Sequence, residues 1–312
     1  MLSKRVKENF ISYGFLAPFL TVFLVFLAYP VIYSIWLSLH KTTIYTSWYT
    51  PFDSMKYIGM GHYISILTDV EFWWSICLTF CYGFMTIPTG IMLSLLLAIF
   101  LNNQIKFKSF FRSAYFLPNV LDLLVIGIIW ILIFSPQYGL LEVALRNLGF
   151  GGENGIVFKN GILGNPYLCL PAIALAMVLK GAGFGMILFI TAIQNIPQSV
   201  YEAADIDGAN WWHKLRYITI PLVKPIILFM VITGTIACLT AFTEIYAMTT
   251  NTGGPTIQVF DHTLKSANLA GYHLYWNFSE GYYGKAAAFS FVLLGIALLI
   301  SLINMKLLKS DK

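Results

Sequence analysis

Residues Trp74–Leu101 read WSICLTFCYGFMTIPTGIMLSLLLAIFL and contain no charged side chain. A helix that crosses the hydrocarbon core of a bilayer needs about 20 mostly apolar residues. Because water is absent there, the backbone must satisfy its own hydrogen bonds, and a helix does so. This run therefore predicts a membrane-spanning helix, and the sequence contains further runs of the same kind.

The overall composition supports a membrane location. Of the 312 residues, 58% are hydrophobic and 11% are charged, and the mean hydropathy is +0.74. A soluble domain carries roughly 25% charged residues, so this chain cannot cover a water-facing surface at the usual density. We expect an integral membrane protein. The composition excludes a disordered tail, a nucleic-acid-binding module and a disulfide scaffold, since each needs a polar, basic or cysteine-rich chain.

The apolar runs predict an all-α fold with six transmembrane helices. Several runs exceed the minimum length and contain prolines, so tilted or kinked helices are expected. The predicted spans are Phe10–Leu39, Trp74–Leu101, Ala114–Phe134, Tyr167–Ile193, Ile218–Met248 and Tyr283–Leu308. The prolines are Pro18, Pro30, Pro88, Pro221 and Pro225.

Lysine and arginine are unevenly divided between the two sides of these spans. Short cytoplasmic loops carry the excess of basic residues, so both termini are predicted to be cytoplasmic, and the net charge of +5 needs no acidic partner. The side with the termini has Lys4, Arg5, Lys7, Lys106, Lys108, Arg112, Lys214, Arg216, Lys224, Lys306, Lys309 and Lys312. The other side has Lys41, Lys56, Arg146, Lys159, Lys265 and Lys285.

Sequence signatures of enzymes and metal sites are missing from the chain. It has no GxxxxGK[ST] phosphate-binding loop, so we do not expect it to hydrolyse ATP by itself. Cys77 and Cys81 share a helix face, but no His, Asp or Glu accompanies them, and no metal site is predicted. Gly181, Gly183 and Gly185 fall within a predicted span, where they indicate close helix packing or a local unwinding.

The connection at residues 194–217 is predicted to form two short helices separated by a tight turn. Pro197 suits a first helical position, Gly208 suits the residue just past a helix end, and Asn210 can cap a second helix. Ala203 and Ala204 give the first helix a small-sided, partly apolar face. Such a helix suits the groove of a partner protein, and the open alternative is a helix that rests on the lipid surface.

This connection resembles the EAA loop of ABC importer permeases, whose pattern reads EAAxxDGAxxxxxFxxIxLPxxxP. Leu215 stands in place of the pattern's Phe and Ile220 in place of its Leu, and both positions stay apolar. The matching residues are Glu202, Ala203, Ala204, Asp207, Gly208, Ala209, Ile218, Pro221 and Pro225.

Other segments resemble the MalF/UgpA-like carbohydrate branch of these permeases, in order along nearly the whole chain. The resemblance implies the type I ABC importer permease architecture, with residues 1–312 as one transmembrane domain and 194–217 as its coupling loop. The segments are FRSAYFLP at Phe111–Pro118, SPQYGLL at Ser135–Leu141, FTEIYAMT at Phe242–Thr249, TGGP at Thr252–Pro255 and YGKAAA at Tyr283–Ala288.

The same resemblance implies a function. The chain would be a transmembrane subunit of a binding-protein-dependent importer in a bacterial or archaeal cytoplasmic membrane. With a second permease subunit, as a heterodimer, it would form the path for a sugar, an oligosaccharide or a related polyol. An extracytoplasmic binding protein would deliver the substrate. This chain would not be an enzyme and would bind no cofactor, because two cytoplasmic ATPase subunits would bind ATP and Mg.

In the family, the EAA helix docks on the ATPase, which assigns that role here to Glu202, Ala203, Ala204, Asp207 and Gly208. The alternative function is a secondary transporter or a channel with no ATPase partner. A secondary transporter often has inverted repeats and a channel has a selectivity filter, and the sequence shows neither.

Three ionisable residues fall at membrane depth: Asp122, Lys180 and Glu244. A charge facing lipid costs about 3 kcal/mol or more, so each should face a cavity or a partner. They are candidates for the substrate path, but Lys180 could instead pair with Asp122 or Glu244, or a side chain could reach the membrane edge. Phe242 and Tyr246 lie near Glu244, and sugar sites combine aromatic faces with a few polar groups, so both are further path candidates.

Overall fold

The computed structural model describes residues 4–42, 45–46, 54–102, 106–136, 138–147, 161–259 and 261–308. These residues are mostly helical, with two short antiparallel hairpins formed by β1–β2 and β3–β4. The helices are α1 (Lys4–Phe23), α2 (Tyr29–Ser38), α3 (Gly61–Leu67), α4 (Val70–Asn102), α5 (Lys108–Val120), α6 (Leu123–Phe134), α7 (Leu140–Asn147), α8 (Cys169–Gln194), α9 (Gln198–Ile206), α10 (Trp211–Lys214), α11 (Ile220–Leu222), α12 (Lys224–Leu239), α13 (Thr243–Met248), α14 (Ala270–Ser279) and α15 (Tyr283–Leu308). The strands are β1 (His40–Lys41), β2 (Lys56–Tyr57), β3 (Thr256–Val259) and β4 (His262–Lys265).

Within the described residues, four helical segments are long and apolar enough to cross a membrane, and two bent helix pairs bring the possible number to six. A mostly helical membrane fold is therefore confirmed, with four to six candidate spans. The four segments are Ser12–Ser38, Val70–Asn102, Cys169–Gln194 and Tyr283–Lys306. The bent pairs are Lys108–Val120 with Leu123–Phe134 and Trp211–Leu222 with Lys224–Leu239.

The third predicted span, Ala114–Phe134, is not one straight helix. It divides into the end of α5 and all of α6, whose axes meet at 103°. Leu121 and Asp122 have extended backbones, and the Asp122 carboxylate accepts a hydrogen bond from the Leu124 amide at 2.8 Å. That bond caps a new helix, so the polar residue inside the apolar run starts α6.

The fifth predicted span, Ile218–Met248, is also interrupted. Its first break lies at Val223, where the helix axis bends by 62°. Pro225 lies in the first turn of α12 and has no amide hydrogen for a continuing helix, which explains a new start there. A second break at Thr240–Phe242 separates α12 from α13. In the first span, a π-helical turn at Leu24–Ala28 precedes Pro30. Pro30 also has no amide hydrogen for a continuing α-helix, which explains the irregular turn before it.

Two compact units make up the chain, and the larger one comprises Val70–His273 with Leu293–Lys312. In this unit α4 packs along α8, and the Ser94 hydroxyl donates to the Ala182 carbonyl at 3.1 Å. A Cβ on Gly185 would lie 2.3 Å from Ser94 Oγ. Helix α8 is continuous through its glycines, so Gly183 and Gly185 serve helix packing rather than unwinding.

The smaller unit comprises Met1–Asp69 with Leu274–Val292 and contains a cluster of polar contacts. The Lys285 ammonium contacts the Asp69 carboxylate at 2.9 Å. The Gly284 amide donates to the Thr42 hydroxyl at 2.6 Å, and His62 Nε2 lies 3.1 Å from the His40 carbonyl oxygen.

Acidification should weaken the smaller unit through His62. Burial, with a further contribution from the charges of Lys285 and Lys41, lowers the pKa of His62 below its usual 6.5. The unfolded chain therefore binds the proton more readily, and stability is lost as the pH falls from 6.5 through the folded pKa. We expect thermal unfolding to show a smaller loss on acidification in His62→Gln than in the wild type. An equal loss in both proteins would contradict this assignment.

Candidate functional site

The coupling loop begins with a short helix whose start differs by one residue from the prediction. Pro197 is the N-terminal cap of α9, with φ −57° and ψ 133°, and the helix starts at Gln198. Proline at a first helical position needs a helical ψ. The extended ψ of Pro197 places it just outside the helix.

A tight turn ends α9, as the sequence predicts. Gly208 has φ +75°, in the left-handed region that favours glycine. The Ala209 amide donates to the Ala204 carbonyl at 2.9 Å, and the Gly208 amide donates to the Asp205 carbonyl at 3.1 Å, which is a Schellman motif. The Asn210 side chain then accepts from the His213 amide at 2.9 Å and caps α10, so both local predictions are confirmed.

One face of α9 is held against the chain. Ala204 is buried, the Tyr201 hydroxyl lies 3.0 Å from the Thr219 hydroxyl, and Lys214 forms an ion pair with Asp205. The small side chain of Ala204 therefore serves packing inside this chain. Asp207 lies at the helix C-cap and is exposed.

The opposite face of α9 is open. Glu202 and Ala203 are exposed, and Ile206 is 88% exposed although it is large and apolar. A Cβ on Gly208 would meet no atom within 4 Å. Ile206 is not among the site residues predicted from sequence, although its helical spacing from Glu202 and Ala203 places it on their face. The result is a narrow surface that combines one acid, one small residue and one exposed apolar side chain.

A cleft of about 640 Å³ lies beside the inner face of α9, between it and the ends of α4 and α8. Its lining is rich in carboxamides and includes two aromatic residues. The lining residues are Ile99, Asn102, Ile193, Gln194, Asn195, Ile196, Pro197, Gln198, Tyr201, Trp211, Lys214, Leu215 and Thr219.

A second cleft, of about 390 Å³, lies within the helix bundle of the larger unit. We call it the inner cleft. It brings together Lys180 from α8 and Glu244 from α13, and the Tyr82 hydroxyl donates to Glu244 Oε1 at 3.4 Å. The lining residues are Tyr82, Thr86, Ile87, Gly90, Ile91, Ser94, Leu123, Met177, Val178, Lys180, Gly181, Phe184, Met230, Thr233, Gly234, Ala237, Cys238 and Glu244.

The three membrane-depth charges are not paired with one another. No hydrogen bond or ion pair joins Lys180 to either Glu244 or Asp122 among the described side chains. Asp122 is exposed and caps α6 instead of lining the inner cleft. Of the three, Lys180 and Glu244 share one cavity and Asp122 has a local structural role.

Phe242 and Tyr246 are near Glu244 but do not line the inner cleft. Their ring centroids lie 5.5 Å apart, and Phe242 stacks on Tyr272 with a centroid distance of 6.5 Å. These rings therefore pack at the start of α13, close to Glu244 in the sequence.

One stripe of small and polar residues in the inner cleft was not predicted from the sequence. Tyr82, Thr86, Gly90 and Ser94 follow one another at intervals of four along α4, and all four line the cavity. Residues at this spacing fall on adjoining parts of one helix face. A small or polar residue at every fourth position of an apolar span was the available signal.

Comparison with known proteins places this geometry in a family. Residues 84–308 match the family model described as the binding-protein-dependent transport system inner membrane component. The chain belongs to this family. The match covers the coupling loop and every lining residue of the inner cleft except Tyr82, and the family predicted from the EAA pattern is confirmed. This permease is a membrane component of a binding-protein-dependent importer, and ATP hydrolysis resides in a separate ATPase.

Two relatives extend the match over almost the whole permease. The lactose transport system permease protein LacF of Rhizobium radiobacter is 32% identical over 292 residues, which is 93% of this chain and 91% of LacF. The trehalose/maltose transport system permease protein MalF of Thermococcus litoralis is 30% identical over 302 residues, 97% of this chain and 95% of that protein.

A solved structure shares the fold. A chain from the crystal structure of a bacterial ABC transporter that imports the acidic polysaccharide alginate superposes with a TM-score of 0.77 at 22% identity. The superposition covers 98% of this chain and 97% of that chain. The chain therefore has the expected permease fold.

Proposed function

We propose that this permease carries a neutral disaccharide or a related oligosaccharide or polyol through the inner cleft. The observation that carries the proposal is the placement of Lys180 and Glu244 on one cavity without an ion pair between them. An acid and a base that are not paired can each bind hydroxyl groups, and their charges balance, which suits a neutral ligand. The relatives named for lactose and for trehalose and maltose support this substrate class.

The inner cleft is large enough to form one side of such a path. Pockets for small ligands measure about 300–1,000 Å³, and this cleft measures about 390 Å³. A second permease subunit, a different chain in our proposal, would close the path from the other side. An extracytoplasmic binding protein would deliver the sugar.

We further propose six spans with both termini in the cytoplasm. Each bent pair then counts as one span, and the excess of lysine and arginine falls on the side of the termini. This orientation puts the coupling loop in the cytoplasm, where two ATPase subunits that bind ATP and Mg can reach it.

The open face of α9 would dock on one ATPase. Glu202, Ala203 and Ile206 form the contact, and Asp207 and Gly208 shape the turn beside it. The exposed apolar Ile206 favours a protein groove over bulk water. The surface carries Glu202 and lacks basic residues, which argues against anionic lipid as the partner.

Co-purification tests the docking proposal. The permease, expressed with its native membrane and cytoplasmic partners and purified in mild detergent, should retain an ATPase subunit in stoichiometric amount. Ile206→Lys should lose that subunit, while Tyr138→Lys, also on an exposed side chain but outside the coupling loop, should keep it. Purification of the intact permease without any ATPase would favour the secondary transporter or channel.

Glu244→Gln tests the substrate path. The substitution keeps the shape of the side chain but removes the charge, and hydrogen bonds to charged groups are worth about 1.5–3 kcal/mol. We expect the uptake rate per folded transporter to fall by about tenfold or more. Asp122→Asn, at an exposed cap outside the inner cleft, is the matched control and should retain uptake within about twofold. Unchanged uptake in Glu244→Gln at normal expression would remove Glu244 from the path.

A further inference from the structure

The segment Thr249–Pro255, here called the outer loop, has an unusual backbone. Thr250 and Asn251 have φ +50° and +60°, and Gly253 and Gly254 have φ +75° and +85°. Asparagine and glycine adopt the left-handed region readily, but a β-branched residue such as Thr250 is an outlier there. Strained backbone of this kind persists only where surrounding contacts hold it.

Hydrogen bonds to neighbouring segments hold the outer loop. The Asn251 amide donates to the Tyr246 carbonyl at 2.9 Å, which fixes the loop to the end of α13. The Ala267 amide donates to the Gly253 carbonyl at 3.0 Å, which fixes it to the segment before α14. The Tyr272 hydroxyl donates to Asn251 Oδ1 at 3.2 Å.

Tyr272 is a side chain that contacts both this loop and the residue before α13. It is fully buried, and its ring stacks on Phe242, the residue that precedes α13. A Cβ on Gly253 would lie 2.8 Å from its Cε1 atom, so the loop packs directly on the ring. Glu244 follows Phe242 by two residues.

A hydrogen bond to α4 fixes the start of α14, the helix that carries Tyr272. The Ala270 amide, at the start of α14, donates to the Thr79 hydroxyl of α4 at 2.9 Å. The same α4 carries Tyr82, which contacts Glu244. The outer loop itself lines a separate cleft of about 520 Å³ with Phe134, Pro136 and Met248.

We infer that Tyr272 is a positioning residue: its ring against Phe242 and its hydroxyl on Asn251 tie the outer loop to the start of α13 and so set the place of Glu244 in the inner cleft. The inference rests on the proposed role of Glu244 in the substrate path. It adds that the hydrogen bond between Tyr272 and Asn251 contributes to the position of Glu244.

The experiment measures ATP-driven uptake per folded transporter in the assembled complex, together with the midpoint of thermal unfolding. Tyr272→Phe keeps the stacked ring and loses the hydrogen bond. A hydrogen bond of ordinary net strength corresponds to a change of roughly two- to tenfold, and we expect uptake to fall by about that factor. Asn251→Ala should reproduce the loss, whereas Asn251→Asp keeps an acceptor and a residue that tolerates positive φ, and should retain uptake.

Two control variants separate positioning from general stability. Thr250→Gly relieves the strained φ and leaves the Asn251 acceptor in place, so uptake should stay within about twofold while the unfolding midpoint stays or rises. Tyr63→Phe loses a comparable hydroxyl contact, 2.9 Å to Ser38 Oγ, outside the outer loop and the inner cleft, and should also retain uptake.

A double variant gives the deciding readout. If Tyr272 acts through Glu244, Tyr272→Phe should cause little further loss of uptake in a Glu244→Gln background, while the two changes add in thermal stability. Additive losses of uptake, or a Tyr272→Phe variant with wild-type uptake, would overturn the inference and leave the proposed function standing. A wild-type complex without ATP-driven uptake would overturn both.

Discussion

Uptake should fall to background in Gly208→Asp, although the protein still folds and inserts. Gly208 holds φ +75° at the end of α9, and a left-handed backbone costs other residues roughly 1–2 kcal/mol. This conformational cost is smaller for Asp. However, the negative charge of Asp would add to the charges of Glu202, Asp205 and Asp207 on one short segment. Both effects act on the surface that is proposed to dock on the ATPase. The measurement is ATP-driven uptake normalised to folded transporter.

Gly208→Asn is the matched variant for this prediction. Asparagine has the same size as aspartate and adopts positive φ without added charge, and a side chain at this position meets no atom of the chain within 4 Å. We expect it to retain at least a third of wild-type uptake. Glu202→Lys, which reverses the charge beside Ala203, should resemble Gly208→Asp. Normal uptake in both charge variants would contradict the coupling role of α9.

Gly183→Ala should reduce the yield of folded permease by about fivefold or more. The added Cβ would lie 1.9 Å from the carbonyl oxygen of Tyr115 on α5, well inside van der Waals contact. Because the obstacle is backbone, α5 and α8 must separate, and overpacking of this kind typically costs 1–3 kcal/mol and occasionally more. Size-exclusion profiles in detergent and the unfolding midpoint would measure the effect.

Gly181→Ala provides the control two residues away on the same helix. A Cβ there would meet nothing within 4 Å, and alanine favours a helix over glycine by about 1 kcal/mol. Its folded yield and unfolding midpoint should equal or exceed those of the wild type. Equal losses in Gly181→Ala and Gly183→Ala would show that helix propensity, rather than the α5–α8 approach, governs this segment.

The location of the apolar spans could be predicted from sequence, and the kink expected from Pro225 is confirmed. The break at Asp122 could not be predicted. Hydropathy averages over a whole run, so Ala114–Phe134 and Ile218–Met248 each look continuous. The breaks follow from local events that an average hides: the Asp122 carboxylate caps a new helix, and Pro225 lacks an amide hydrogen. Prolines alone are ambiguous, since Pro88 lies inside the unbroken α4.

The coupling loop was predictable because its structure is local. Gly208 and Asn210 act on residues within a few positions of themselves, which the sequence displays directly. The inner cleft depends on contacts between α4, α8 and α13, so the sharing of one cavity by Lys180 and Glu244 required the tertiary structure. Ala204 illustrates the same limit: its size suits a close approach, but only the fold shows that its neighbour is this chain.

ATP-driven uptake in proteoliposomes tests the central claim most directly. The permease, reconstituted with its partner subunits and supplied with ATP on the ATPase side, should accumulate radiolabelled lactose, maltose or trehalose only when the loaded binding protein is present on the opposite side. Accumulation should persist when ionophores collapse all ion gradients and should stop when ATP is replaced by a non-hydrolysable analogue. Uptake that follows an ion gradient and proceeds without ATP would contradict the account.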